Sequence, residues 1–170
     1  QQALNALQHL HLETDNIPTA LIMFDEQWHQ GVIGIVAGRL KEQFHRPSIV
    51  FAPDDDGIHI KGSARSIEGI HIRDTIEQVA EQYPHLVSHF GGHAAAAGLT
   101  LKKEHFDEFK TVFTQLIAEM DEDLFQATLW TDGQLPETDL NLSTLDWIDQ
   151  MGPWGQKFPL PQFEGHFKVL

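Results

Sequence analysis

Three groups of residues in this chain have types and spacings that could do chemistry. The stretch Phe90-Gly91-Gly92-His93-Ala94-Ala95-Ala96-Ala97-Gly98 sets one imidazole among seven glycines and alanines. Glycine lets a ligand or a second strand approach the main chain closely, and the alanines remove nearly all side-chain bulk. The stretch therefore clears space around His93, for a substrate or for a neighbouring element. In the second case it is a tight turn under a helix, with His93 hydrogen-bonded inside. Gly62-Ser63-Ala64-Arg65-Ser66 places two hydroxyls and a guanidinium at the end of an alternating segment. Serine supplies O–H and N–H donors and arginine a bidentate fork, a combination suited to phosphate. The alternative is a polar loop in which Arg65 pairs with an acid. Trp28 and His29 precede a helical run with Gly31, Gly34 and Gly38 on one face. Free N–H groups at such a helix start favour an anion. Each glycine costs about 1 kcal/mol against alanine in a helix interior, so three on one face imply close packing on a sheet or a cleft.

No His, Asp or Glu cluster at metal-ligand spacing accompanies these groups. His9 and His11 have the wrong helical spacing, and His85 and His89 lie in a loop-like stretch. No metal site is expected within the chain. Nucleophile-elbow, P-loop and dinucleotide-binding signatures are absent.

The elements that must position these residues follow from periodicity. Leu4, Leu7, Leu10 and Leu12 predict a helix over 1–14. Short apolar runs at 20–24 and 48–52 predict buried strands, with a helix over 31–44 between them, ending before Pro47. Asp54-Asp55-Asp56-Gly57 signals a turn, and the alternating residues 57–64 predict a strand hairpin-paired with the one before. A helix over 72–82 closes at Pro84, and 95–101 predicts a strand. Residues 103–120 predict an amphipathic helix with Phe106, Phe109, Val112, Phe113, Leu116 and Ile117 on one face. Further strands are predicted over 127–135 and 163–170, with a short helix over 143–150 and a Gly/Pro linker at 152–161. This alternation means α/β, a central mixed sheet flanked by helices.

The 170 residues are 41% hydrophobic, enough for a core, and contain no cysteine. That excludes a disulfide framework and thiolate metal sites, and it fits a reducing compartment. No apolar run approaches a membrane span, and the first residues are no signal peptide. They read as a helix entered mid-sequence, so a piece of a longer chain is expected. The net charge of −14 argues against non-specific nucleic-acid binding. Its cations concentrate between residues 28 and 100, as Arg39, Lys41, Arg46, Lys61, Arg65 and Arg73. An anion site must be local and must lie there.

In order, W-H-x-G-V-I-G-I-V-A-G-R-L, G-S-A-R-S and G-G-H-x-x-A-A-G resemble the substrate-binding domain of the DHH phosphoesterase superfamily. With Leu129-Trp130-Thr131-Asp132-Gly133-Gln134-Leu135 and Gly152-Pro153-Trp154-Gly155, the whole chain resembles the RecJ family of bacterial single-strand-specific 5′-to-3′ DNA exonucleases. The linker departs from the family's Gly-x-Gly-Asn-Pro, reading Gly155-Gln156-Lys157-Phe158-Pro159. The resemblance implies a linking helix at 1–14, a DHH-associated domain at 15–123, and the first strand of an oligonucleotide-binding barrel within 124–170. It implies manganese or magnesium held by a DHH core before Gln1, not by this chain, which alone would be inactive. Ser63, Arg65 and Ser66 are implied to hold DNA phosphate near the 5′ end. Gly91, Gly92 and His93 would face the metal site, with His93 catalytic, and Trp28 and His29 would line the same cleft. The implied partners are single-stranded DNA, single-strand-binding protein and a RecQ-type helicase, in DNA repair and recombination in the bacterial cytoplasm. Two other readings stand beside it: a nano-RNase or cyclic-dinucleotide phosphodiesterase of the same superfamily, and a noncatalytic module whose acidic helix 103–123 binds a basic partner.

Overall fold

Five short runs of apolar or small residues pair into one sheet in the computed structural model, which describes residues 17–155 and 158–166. The helix expected over 1–14 and the last part of the strand expected over 163–170 lie outside the described residues. Strand β1 (Leu21–Phe24) runs parallel to β2 (Ser48–Pro53). The crossover between them is helix α1 (Gln30–Phe44). Strand β3 (His59–Arg65) returns antiparallel beside β2. Helix α2 (Ile72–Gln82) then leads to a hairpin of β4 (His89–Gly92) and β5 (Ala96–Lys102), with β5 inserted beside β3. The strand order is β1-β2-β3-β5-β4. A turn of 3₁₀ helix, Lys103–His105, opens helix α3 (Phe106–Ala118).

Alternation sends successive side chains to opposite faces of the sheet. On one face Leu21, Val50 and Ala52 pack with Ile33, Val36, Ala37 and Leu40 of α1. On the other, Ile22, Ile49, Phe51, Ile60, Leu99 and Leu101 pack with α2 and α3. Phe51 meets Phe106 and Phe109 edge-on, at 5.7 and 5.9 Å between ring centroids. The result is the α/β class expected, with, among the described residues, α1 on the first face and α2 and α3 on the second.

Two expectations need correcting. Phe90-Gly91-Gly92, read as cleared space or a tight turn, forms most of edge strand β4. Its one large apolar residue hides the period-2 signal, and pairing with β5 supplies the order. The first compact unit runs to Ala127; near its end Phe125 is buried and its carbonyl accepts a 2.8 Å bond from Arg46 Nη1. No strand forms over 127–135. In the second unit, from Thr128, isolated bridges join Gln134 to Glu164 and Gly155 to Phe158. The backbone bonds of the first run from Asp132 N to Gln162 O and from Glu164 N to Gly133 O. Helix α4 (Leu142–Met151) is capped by Asn141, and within the expected linker Gly155 and Phe158 exchange backbone hydrogen bonds while Trp154 stacks on Phe158. Among the described residues no helix is long and apolar enough to cross a membrane.

The turn between β2 and β3 is tied by Asp56. Its carboxylate accepts from the backbone N–H groups of His59 and Ile58 and lies 2.6 Å from His59 Nδ1. The His59 N–H leads these bonds in holding its pKa down to about 2. A carboxyl depressed in the folded state contributes stability above its unfolded pKa, about 3.9, and loses it as pH falls through the folded value. The melting-temperature advantage of wild type over Asp56→Asn therefore narrows between pH 5 and pH 2 in thermal melts. A margin that stays constant across that range would exclude Asp56 as a source of acid sensitivity.

Candidate functional site

Helix α1 leaves half of its sheet face open. Register places Ser63 of β3 beside Gly98 of β5, and Gly98 beside Gly91 of β4. One pair along, Lys61, Thr100 and His89 form a parallel row, and Arg65 sits opposite Ala96. Gly91, Gly98 and His89 are exposed. A Cβ at Gly91 would meet nothing within 4 Å, and one at Gly98 only the Gly62 carbonyl at 3.9 Å. The protein's own packing therefore does not require glycine at either position. Gly92 and Gly62 are different. Gly92 has φ +144°, and a Cβ there would lie 2.4 Å from the Ala96 carbonyl oxygen. At Gly62 it would strike the Phe51 ring at 2.5 Å. Those two glycines serve the fold, while Gly91 and Gly98 expose a floor of bare backbone.

Arg65 stands at one end of this floor. Its Nη1 donates to Ser63 Oγ at 3.0 Å and to the Ala64 carbonyl at 2.8 Å. Among the described residues it forms no ion pair, which decides against the salt-bridged-loop alternative. Its neighbours behave otherwise: Lys61 pairs with Asp54 at 2.9 Å, Arg73 with Glu77 at 2.9 Å, and Arg39 with Glu42 at 3.5 Å. The Lys61 hydrogen bond holds Asp54 below the usual carboxylate range. Arg46 is spent on the carbonyls of Phe44, His45 and Phe125. The guanidinium of Arg65 is thus left without a carboxylate partner among the described residues, with Ser63 held at its side.

Gly34 of α1 makes the room for that pair. A Cβ there would lie 2.9 Å from Arg65 Nη2 and 3.2 Å from Ser63 Oγ. Gly31 packs against its own cap, His29. Nothing in the structure explains Gly38.

The β4–β5 turn carries His93, whose N–H donates to Ala96 O at 2.8 Å. The connection from β3 to α2 braces the turn: Ser66 N donates to Ala95 O and Ile72 N to Ala94 O, both at 3.0 Å. His93 itself is exposed, so the buried-imidazole alternative falls. Arg65 lies opposite Ala96, which brings the guanidinium strand end next to this turn.

Two expected site residues have partners within the fold. Ser66 is buried, and its hydroxyl donates to Ile70 O at 2.7 Å. His29 caps α1, its Nδ1 accepting from Gly31 N at 3.0 Å. That uses one of the N–H groups an anion would have taken. Trp28 is half-buried against the α1-side core. Conversely, Lys61, His89 and Thr100 join the floor without any local sequence signal. Only the pairing of β3 with β5 and β4 brings them there.

The expectation that no His/Asp/Glu cluster forms is also corrected. His85, His105 and Glu108 bring one ligand atom each within 4.8 Å of one another, on the α2/α3 side of the sheet. They are distant in sequence, so spacing could not reveal them. The floor offers the His89 imidazole, and the carboxylate that reaches it, Asp54, is taken up by Lys61 at 2.9 Å. That donor set does not fit manganese or magnesium, which take oxygen ligands.

Residues 17–119 match the family model of the DHHA1 domain. The chain is 46% identical over 170 residues to the single-stranded-DNA-specific exonuclease RecJ of Haemophilus influenzae, covering 99% of this chain and 29% of that protein. It is 44% identical to RecJ of Escherichia coli, again over 99% of this chain and 29% of the relative. The crystal structure of RecJ from Thermus thermophilus in complex with Mg²⁺ superposes with a TM-score of 0.75 at 27% identity, over 95% of this chain and 24% of that one. The chain thus spans less than a third of the length of the curated relatives it matches.

Proposed function

The chain belongs to the DHHA1 domain family, and on that premise we propose that it forms the single-stranded-DNA-binding wall of a RecJ-type 5′-to-3′ exonuclease. The observation that carries the reading is the bare floor of Gly91 and Gly98 ending at an Arg65 with no acid partner among the described residues. A nucleic-acid strand can lie close against main chain where no Cβ intervenes. Arg65 and Ser63 then hold a phosphate by charge-assisted hydrogen bonds, and they favour a 5′-terminal phosphate because it carries more charge than an internal diester. His93, at the exposed turn beside them, contacts the nucleotide being cut.

Manganese or magnesium ions, held by other parts of the whole protein, would neutralise the phosphate and supply a hydroxide nucleophile. This chain's residues bind and orient the strand; alone it is expected to cut nothing. The role in repair and recombination, the cytoplasmic location, and the pairing with single-strand-binding protein and a helicase belong to the same proposal.

His93→Ala in the whole protein tests the assignment. One hydrogen bond to a charged group is worth about 1.5–3 kcal/mol, so turnover on long single-stranded DNA falls about 10- to 100-fold while affinity stays within about threefold. Unchanged turnover removes His93 from the site. Preference for di- and trinucleotides over long strands would move the protein to the nano-RNase branch of the superfamily.

A further inference from the structure

We propose that His85, His105 and Glu108 form a three-ligand site for a divalent transition-metal ion of the zinc class. The three residues come from two separate segments. His85 lies in the connection from α2 to β4, His105 ends the 3₁₀ turn before α3, and Glu108 sits in the first turn of α3. Each offers a ligand atom, all within 4.8 Å of one another. Tetrahedral zinc, with bonds of about 2.0–2.2 Å, separates neighbouring ligand atoms by about 3.3 Å. His85 Nε2 and the Glu108 carboxylate oxygens already stand 3.3 Å apart. Only His105 must close in, by a side-chain adjustment.

The scaffold holds the three in place. Leu86, next to His85, is fully buried, and its N–H donates to Tyr83 O at 3.0 Å. Phe106, next to His105, packs on Phe24 and Phe51. Phe109, next to Glu108, is fully buried. The two imidazoles meet edge-to-face, with centroids 5.3 Å apart at 80°.

A simple surface ion pair between His85 and Glu108 would leave the second imidazole unexplained. Two imidazoles converging on one carboxylate are the donor set zinc prefers over calcium or magnesium. Glu104, with Oε1 3.7 Å from His105 Nε2, stands next to the cluster and can take the fourth position or leave it to water. A bound ion would cross-link the α2–β4 connection to the start of α3, independently of any role in DNA binding.

The test is calorimetric titration of Zn²⁺ into the whole protein saturated with Mg²⁺, with Co²⁺ absorption as a second readout. Wild type binds one more equivalent at micromolar or tighter affinity than His105→Gln. Glu108→Gln weakens that site at least tenfold, and the visible band of tetrahedral cobalt disappears in both variants. Circular dichroism in chelator confirms that both are folded. Equal stoichiometry and affinity in wild type and variants, or a single-strand exonuclease that takes up no additional ion, overturns the site and leaves the DNA-binding assignment untouched.

Discussion

Arg65→Ala in the whole protein lowers affinity for single-stranded DNA about 10- to 100-fold, with little change in melting temperature. The size follows from about 1.5–3 kcal/mol for hydrogen bonds to a charged group, at 1.4 kcal/mol per tenfold. The separation of binding from folding follows from its partners. Among the described residues Arg65 donates only to Ser63 Oγ and the Ala64 carbonyl, both part-buried, where water can replace it. No carboxylate among the described residues is left bare when it goes. A single-strand contact contributes about −0.7 to the slope of log affinity against log salt, so the variant's slope is shallower by about that amount. Arg65→Lys keeps the charge without the fork and falls between the two. Fluorescence anisotropy on oligonucleotides with and without a 5′ phosphate measures all three. If Arg65→Ala binds both with wild-type affinity and salt dependence, the guanidinium does not touch DNA.

The glycines give the second large effect, in opposite directions at positions that look alike in the sequence. Gly98→Val places a branched side chain on the floor. Its Cβ meets only a carbonyl at 3.9 Å, and valine suits a strand better than glycine does. The variant folds at least as stably as wild type and loses DNA affinity more than tenfold. Gly92→Ala is the reverse. At φ +144° with a Cβ 2.4 Å from the Ala96 carbonyl, the turn must distort, and stability drops by about 1–3 kcal/mol. Parallel melting and binding curves separate the two. A destabilised Gly98→Val, or one that binds DNA normally, would show that the open floor is not the interface.

The sequence made most of the scaffold legible where one physical signal dominated. The apolar runs at β1 and β2, the Asp-rich turn before β3 and the Phe-lined face of α3 were all visible from local pattern. Strand β4 was not, because His89-Phe90-Gly91-Gly92 carries one large apolar side chain and takes its order from β5. In the site, Ser63 and Arg65 could be picked by chemical type. Ser66, of the same type, is buried with its hydroxyl on Ile70 O, which no local pattern reveals. Gly91 and Gly92 are adjacent and identical, yet one lies open and the other is sterically obligatory. That distinction exists only in three dimensions. The meeting of His85 with His105 and Glu108 depends on how α3 packs beside the end of α2, which no local pattern encodes.

The two amide bonds from Ser66 and Ile72 to the turn carbonyls also set a length. They tie the β4–β5 tip to the first residue of α2, across the six-step path from Ser66 to Ile72. That path acts as a ruler. Lengthening or shortening it would release the Ala94 and Ala95 carbonyls, while the pairing of Gly92 with Ala97 kept the floor in register. The bracing of the turn is thereby decided by a segment outside the floor.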